Sequence, residues 1–371
     1  MHFQIDRQSL LFLLSHAQPI VESRNTIPIL SNILLKADDG FLTVEATDLD
    51  IMTHERIAAD IKRPGSTTMS AKLLYDIARK MPDGSLVDID VSATQATIRA
   101  GRAKFTLPVL SPDVFPQIQT DKWETTFEIK TDEIRRILHQ VRYAISNDGT
   151  RYYLQGVFMH IAPNELGCPE LRAVATDGHR LALQATEAPL GNDTIPDVII
   201  PKKCVQEVAK NLDDSGETIK ISLSTSKVQF VLGELTITSK LIDGRFPDYT
   251  RVIPTGNKFS LIVSAKQMAE GIDRVSTISS EKTRAVRLEL HPDRVELSTR
   301  SSDVGQGMET VLARYSGAPL VVGFNSAYLK DMLAQHGDHD VEMTFQDESS
   351  PSIIRSIGSK TALGVCMPLR I

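Results

Sequence analysis

Three segments of the chain open on the same rhythm of apolar and polar positions. FQIDRQSLLFLLSHAQPIV from Phe3, FEIKTDEIRRILHQVRYAI from Phe127 and FSLIVSAKQMAEGIDRVST from Phe259 each begin with a few alternating residues and pass into apolar positions three and four apart. Alternation is the period of a strand with one buried side, and the three–four spacing, as at Ile134, Ile137, Leu138 and Val141, is that of a helix with one apolar face. An irregular link follows each helix and leads to paired strands, ILSNILLKADDGFLTVEATDLDIMTHERI in the first segment and YYLQGVFMHI with ELRAVATDGHRLALQAT in the second. The triplets Ala46–Asp48 and Ala175–Asp177 occupy equivalent places. In the third segment, AVRLELHPDRVELSTRSSD puts Leu297–Thr299 there with the triplet eroded.

The second half of each segment repeats as well. TTMSAKLLYDIARKMPDGSLVDIDV, VIIPKKCVQEVAKNLDDSGETIKISL and LVVGFNSAYLKDMLAQHGDHDVEMTF each predict strand, helix of about ten residues, polar turn and strand. The segment ends RAKFTLPVLSPDVFPQI and TITSKLIDGRFPDY share a Phe-Pro corner, at Phe115-Pro116 and Phe246-Pro247. The pattern predicts an α+β chain of three similar domains, near 1–122, 123–252 and 253–371. Each has two helices packed on antiparallel sheets, in two halves related by a pseudo-twofold, so that six helices cover one side of three sheets.

Length and composition agree with that division. A chain of 371 residues exceeds one ordinary core, and 24% charged with 41% hydrophobic residues is a globular balance. No apolar run reaches the roughly 20 residues that span a bilayer, and MHFQIDRQSLLFLL lacks the basic start and cleavage site of a secretion signal, so a cytoplasmic location without membrane is expected. Cys168, Cys204 and Cys366 stand far apart, suggesting neither disulfides nor a metal site.

The net charge of −6 argues against nucleic-acid binding over the whole surface, but its distribution changes the picture. Arg7 offsets Asp6 in the first predicted helix; Lys72, Arg79 and Lys80 against Asp76 leave +2 in the second. Arg135, Arg136 and Arg142 give +3 in the third, and Lys202, Lys203 and Lys210 against Glu207 give +2 in the fourth. With the last two neutral, the helices carry +7 in an otherwise acidic chain, the footprint of a surface that admits a polyanion. Lysine and arginine are also ordinary residues of a solvated helix face, and Arg24 and Arg151 lie in loops where either reading applies. One Trp, 5% aromatic residues and no zinc-finger or stacking motif exclude base readout, so any nucleic acid is held by its backbone.

The densest chemistry is AVATDGHRLAL, Ala173–Leu183, which predicts a strand, an Asp-Gly turn and a second strand with Thr176, Asp177, His179 and Arg180 at the tip. Asp177 and His179 suggest an acid–base pair with Arg180 as an anion clamp. No partner nucleophile, metal-spaced cluster or glycine-rich phosphate loop accompanies them, and residues at a hairpin tip need not converge, so an enzyme is not expected. Neither cofactor nor metal is expected.

RYYLQG at Arg151–Gly156, ATDGHRLA at Ala175–Ala182, LIDGRFPDY at Leu241–Tyr249 and MPLR at Met367–Arg370, with the three repeats, resemble the bacterial sliding clamps, the β subunits of the replicative DNA polymerase. The resemblance spans the whole chain. It implies the DNA clamp fold in a head-to-tail homodimer closed into a ring, helices lining the hole. Such a ring encircles double-stranded DNA without sequence choice and tethers the polymerase, making and breaking no bond itself. Implied partners are the catalytic subunit of the replicative polymerase, the clamp loader ATPase and other replication and repair proteins carrying clamp-binding motifs.

By matching positions the resemblance implies DNA-facing roles for Arg24, Lys72, Arg79, Arg151, Tyr153, Lys202 and Lys203. It implies a peptide cleft, for motifs with a Gln and aliphatic or aromatic anchors, walled by Leu154, Thr176, Gly178, His179, Arg180, Leu181, Pro247, Arg251, Val252, Ser350, Val365, Met367, Pro368, Leu369 and Arg370. For Leu181, Val365 and Leu369, plain core packing is the competing reading. Phe105, Thr277 and Ile278 match positions packed between subunits, where Arg102 and Lys104 supply positive charge. Asp303 and Glu309 are the only acids in Arg300–Thr310. Asp148, in the link after the third helix, is a departure that weakens DNA contact, and Gly364-Val365-Cys366 replaces a bulkier run. A monomeric interaction scaffold without DNA shares the repeats but leaves the basic helices unexplained. His336 and His339 are expected only to serve a turn.

Overall fold

The computed structural model describes residues 1–22, 27–118, 122–189, 195–279, 284–301 and 304–370. Six α-helices lie among them: α1 Arg7–Ala17, α2 Ala71–Lys80, α3 Thr131–Val141, α4 Lys202–Lys210, α5 Ala265–Ser276 and α6 Ser326–Leu333. Each helix follows a strand, and the junction residue caps it where its bonds are resolved. Asp6 accepts from the Gln8 and Ser9 amides, Ser70 and Ser264 accept from Leu73 and Gln267, and Asn325 accepts from Ala327 and Tyr328. These acceptors satisfy amides that have no partner within the helix.

Among the described residues every strand pairing is antiparallel, which makes the class α+β. The contacts gather into two compact units, Met1–Asp132 with Gln206–Leu241 and Glu133–Val205 with Ile242–Ile371. The first unit holds a five-stranded sheet ordered Asp60–Arg63, His2–Asp6, Leu86–Val91, Gln95–Ala100, Ala103–Pro108. It also holds an eight-stranded sheet in which Leu235–Lys240 pairs with Ile51–Ala58, Ile237 opposite Thr53. The second unit is built on a twelve-stranded sheet in which Arg180–Glu187 pairs with Ala362–Cys366, Leu181 opposite Val365.

Those two pairings explain why three sequence repeats condense into two units. Strands of the middle repeat divide between the larger sheets, and each set hydrogen-bonds to strands of a different repeat. The helices of the terminal repeats pack in pairs, α1 with α2 and α5 with α6. A hydrophobic cluster of the second unit lies under α5 and α6, where Met268, Ile272, Leu329 and Met332 meet Leu288, Leu297, Val322 and Phe324 from the strands. Burying a leucine-sized side chain contributes about 2 kcal/mol, so these helical faces anchor the layer.

The helix charges need a correction. α3 begins at Thr131 and takes in Asp132 and Glu133, which balance Arg135 and Arg136, while Arg142 stands in the 3-10 turn Arg142–Ala144. The expected +3 of that helix is therefore zero, and the basic excess sits in α2 and α4 with +2 each and in α1 with +1, since Asp6 stands outside α1 as its cap. Sequence periodicity placed the apolar face correctly but did not show that the polar first turn was already helical.

Candidate functional site

The hairpin tip at Thr176–Arg180 is built by its own side chains. Strands Pro169–Thr176 and Arg180–Glu187 pair up to Thr176 opposite Leu181. The turn is centred on Gly178-His179, one residue later than the expected Asp-Gly pair. Asp177 Oδ1 accepts the amides of His179 at 2.9 Å and Arg180 at 3.0 Å. The Thr176 hydroxyl donates to the Arg180 carbonyl at 2.7 Å and accepts the Gly178 amide at 3.1 Å. Gly178 has φ +89°, and a Cβ there would meet the Arg151 guanidinium at 2.5 Å, so conformation and space both call for glycine.

Arg180 does not project freely from this tip. Its Nε donates to Asp177 at 3.1 Å, Nη1 to Asp331 of α6 at 2.7 Å and Nη2 to the Tyr143 carbonyl at 2.7 Å. The guanidinium lies over the rings of Tyr328 and Tyr143, 4.5 and 5.3 Å from their centroids. Burial works against its charge, but Asp331 and Asp177 outweigh that and raise its pKa further. The enzyme reading fails here on geometry, because Asp177 spends both oxygens on the turn and Arg180. His179 stacks against Tyr328, 6.1 Å between centroids, and the Met367 amide donates to its carbonyl at 2.9 Å.

Beside this tip lies a cavity of about 320 Å³. Ten of the fifteen residues assigned to the cleft line it: Leu154, Thr176, Gly178, His179, Arg180, Leu181, Pro247, Val252, Val365 and Met367. Leu154, Leu181 and Val365 belong to one buried cluster with Val174, Phe246 and Tyr249, so packing and wall are the same surface seen from two sides. Met367, 41% exposed, sits at the margin.

The other five do not line the cavity. Arg251 is 83% exposed and bonded to Asp248 at 2.9 Å; Ser350 is turned into a loop by Asp347. The Leu369 amide donates to the Gly323 carbonyl at 2.8 Å, which holds the tail, and Pro368 and Arg370 stand outside the lining.

Arg151, Tyr153, Asp248 and Tyr249 complete the lining. The first two, expected to face DNA, stand on the cavity wall, because the 3-10 turn Gly149–Leu154 runs along it. Arg151 is bonded to Asp148 at 2.8 Å, and the Thr150 hydroxyl and amide with Arg151 hold the Asp148 carboxyl at about 2. Asp148 thus neutralises a neighbour within the chain.

Lys72 and Arg79 lie exposed on α2, with Arg79 3.4 Å from Asp76. Lys202 donates to Asn147 Oδ1 at 2.6 Å, and Lys203 is half-buried at the start of α4. Arg24 lies outside the described residues.

Phe105, 38% exposed, sits with Arg102 and Lys104 at the free edge strand Ala103–Pro108; Thr277 and Ile278 follow α5. Glu309 is engaged by Arg274 of its own chain at 2.6 Å, and Asp303 lies outside the described residues. His336 does more than serve a turn, since its Nδ1 is 2.8 Å from Ser356 Oγ.

Glu289, His291 and Glu296 bring three metal-type ligand atoms within 4.8 Å of one another. Arg287 and Arg294 already hold the two carboxylates at 2.9 and 3.0 Å, so the group is a charge-balanced surface network. Cys366, buried behind the cleft, has its thiol pushed up to about 12 and is an unreactive packing group.

Successive stretches of the chain match family models described as the DNA polymerase III beta subunit: the N-terminal domain over 1–119, the central domain over 128–248 and the C-terminal domain over 250–370. A protein named beta sliding clamp from Caulobacter vibrioides is 43% identical over 373 residues, covering all of both chains. Among solved structures, the sliding clamp of Bartonella birtlesii, bound to griselimycin, superposes with a TM-score of 0.96 at 39% identity over all of both chains. The beta sliding clamp of C. crescentus gives 0.95 at 43% identity over 100% of this chain and 99% of its own.

Proposed function

The chain belongs to the DNA polymerase III beta subunit family, the bacterial beta sliding clamps, and on that basis we propose that it is a homodimeric ring that encircles duplex DNA and tethers the replicative polymerase. It is a non-catalytic subunit. The observation that carries the docking half of this reading is the cavity at the Thr176–Arg180 tip, whose apolar wall and polar margin suit a short peptide with apolar anchors. Met367 adds an adaptable side chain at the margin, which favours a site shared among partners. Those partners are the polymerase catalytic subunit, the clamp loader ATPase and other proteins with clamp-binding motifs, in the cytoplasm.

The DNA half rests on charge. Lys72 and Arg79 of α2, with Lys202 and Lys203 of α4, are the phosphate contacts we propose, joined by Arg24 and, at the turn, by Arg151 and Tyr153. Tight phosphate binding opposes sliding; a ring needs only a weak, salt-sensitive and sequence-blind lining, because closure retains the DNA. An acidic body around the basic helices disfavours DNA elsewhere. The edge strand bearing Arg102, Lys104 and Phe105 pairs, in this reading, with the partner surface near Thr277 and Ile278. The arms of the test are distinct: protein loaded onto nicked circular DNA by a clamp loader with ATP slides off once the circle is cut. Retention after cutting sinks the topological reading, and failure to associate favours a monomeric scaffold. Met367→Ala weakens a partner peptide while sparing the dimer; unchanged peptide affinity counts against the cleft.

A further inference from the structure

His160 stands directly behind the cleft wall, on strand Gly156–Pro163, and is 9% exposed. Its Nε2 lies 3.0 Å from the Tyr249 hydroxyl and its Nδ1 3.2 Å from the Ile161 carbonyl oxygen. A carbonyl only accepts, so Nδ1 carries the proton. In the neutral ring Nε2 is then an acceptor, and Tyr249 donates to it. The imidazole also stacks on Phe158 at 4.6 Å, and Phe158 stacks on Phe246 at 4.9 Å. Phe246 and Tyr249 bracket the corner that presents Pro247 to the cavity, and Tyr249 lines it. One histidine therefore reaches both ends of that corner, by a hydrogen bond to Tyr249 at one and, through the intervening ring of Phe158, by a stack on Phe246 at the other.

Resting on the cleft as the docking site, we propose that His160 is a positioning residue that holds the Phe246–Tyr249 corner in the shape a partner segment needs, and that docking is proton-sensitive through it. A proton on Nε2 turns the acceptor into a donor. The buried Tyr249 hydroxyl must then turn its hydrogen away from its partner, and a charge enters an apolar stack. The charged neighbours are Arg172, directly across on strand Pro169–Thr176, and Asp197, just before strand Val198–Pro201. From the corner itself Asp248 is bonded to Thr250 and Arg251. Burial, the largest influence, with Arg172 acting in the same sense, holds the His160 pKa below the ordinary imidazole value against the Ile161 carbonyl and Asp197. The neutral, docking-competent form is the resting one, and affinity falls as pH drops through that lowered value.

The test titrates a fluorescein-labelled hexapeptide carrying a glutamine with leucine and phenylalanine anchors into the full-length protein from pH 7.5 to 5. His160→Ala weakens binding at pH 7.5 by about fivefold, the worth of one lost hydrogen bond. His160→Gln, whose Oε1 accepts the hydroxyl without titrating, restores affinity and flattens the fall seen in the parent toward pH 5. His179→Gln reads out separately the histidine at the cleft mouth. If the peptide binds and Met367→Ala weakens it, yet both His160 variants follow the parent at every pH, the positioning role is overturned and the cleft stands. A peptide that fails to bind, or binds without regard to Met367, overturns the cleft and this inference with it. Ring-nitrogen shifts in NMR give a reading without peptide: a neutral His160 protonated on Nε2 overturns the proposal.

Discussion

Two turns in this chain are made the same way and do different things. At Thr47–Ile51, Asp48 Oδ1 accepts the amides of Asp50 and Ile51 at 2.9 Å each, and Thr47 donates to the Ile51 carbonyl while accepting the Leu49 amide. At Thr176–Arg180 the same four bonds recur with Asp177, His179, Arg180 and Gly178 in the matching places. The left-handed position is Leu49 at φ +82° in one and Gly178 at +89° in the other. The repeated triplet therefore encodes a backbone device and no activity. What makes the second copy a candidate site is its surroundings: Arg151 fills the space beside Gly178, and Arg180, where the first copy has Ile51, reaches Asp331 and two tyrosine rings.

The comparison breaks most sharply at the aspartates. Asp48→Ala removes the acceptor of the two turn amides, and the turn's own share of the loss is expected to be about 1 kcal/mol. Asp177→Ala removes the same acceptor and also one of two carboxylates holding a guanidinium whose side chain is only 10% exposed, so a loss of about 3 kcal/mol is expected. Urea unfolding of the two variants checks the contrast, and equal losses would mean that Asp331 alone suffices for Arg180.

Next in size is an acid-dependent difference two residues before each turn. Val174 sits in the apolar cluster behind the cleft, whereas the equivalent Glu45 is buried on strand Phe41–Thr47. Burial opposes ionisation of Glu45, but hydrogen bonds from His54, Lys36 and Gln117 outweigh it and hold the carboxyl at about 2. A folded pKa below the unfolded one contributes stability above about pH 4.5 that is lost as pH falls toward 2, on the order of 2 kcal/mol. Glu45→Gln flattens the melting temperature between pH 5 and 3 relative to the parent; an unchanged slope would assign the acid sensitivity elsewhere.

How far the sequence carries can be judged from the same residues. Period and repeat located the six helices and both copies of the turn, because apolar spacing and Asp-capped turns are local. Strand partners were not legible: nothing near Ile51 or Arg180 says that Leu235–Lys240 and Ala362–Cys366 will lie beside them. For the same reason the burial of Arg180 is not written in its local sequence, since Asp331 is remote along the chain, and neither is the turn that puts Arg151 and Tyr153 on the cavity wall. The RFPDY motif was visible, but that Tyr249 faces the cavity with His160 behind it follows from register alone. The α3 charge differs from expectation because Asp132 and Glu133, which read as a linker, lie in the first turn of the helix.

A smaller effect comes from the left-handed position itself. Gly178→Leu makes the second turn resemble the first in sequence, yet it should lose about 1–2 kcal/mol, because a side chain is strained at φ +89°. The new Cβ also displaces the Arg151 guanidinium from its place by the cavity, so peptide affinity falls along with stability. The reciprocal change, Leu49→Gly, has the smallest effect and the opposite sign. Leu49 is 40% exposed and holds a left-handed backbone that strains a side chain. Glycine relieves that strain but widens the unfolded ensemble, so a gain below about 1 kcal/mol is expected. A measurable loss on Leu49→Gly would mean that the leucine side chain makes contacts worth more than the strain, and the first turn would then hold more than a backbone device.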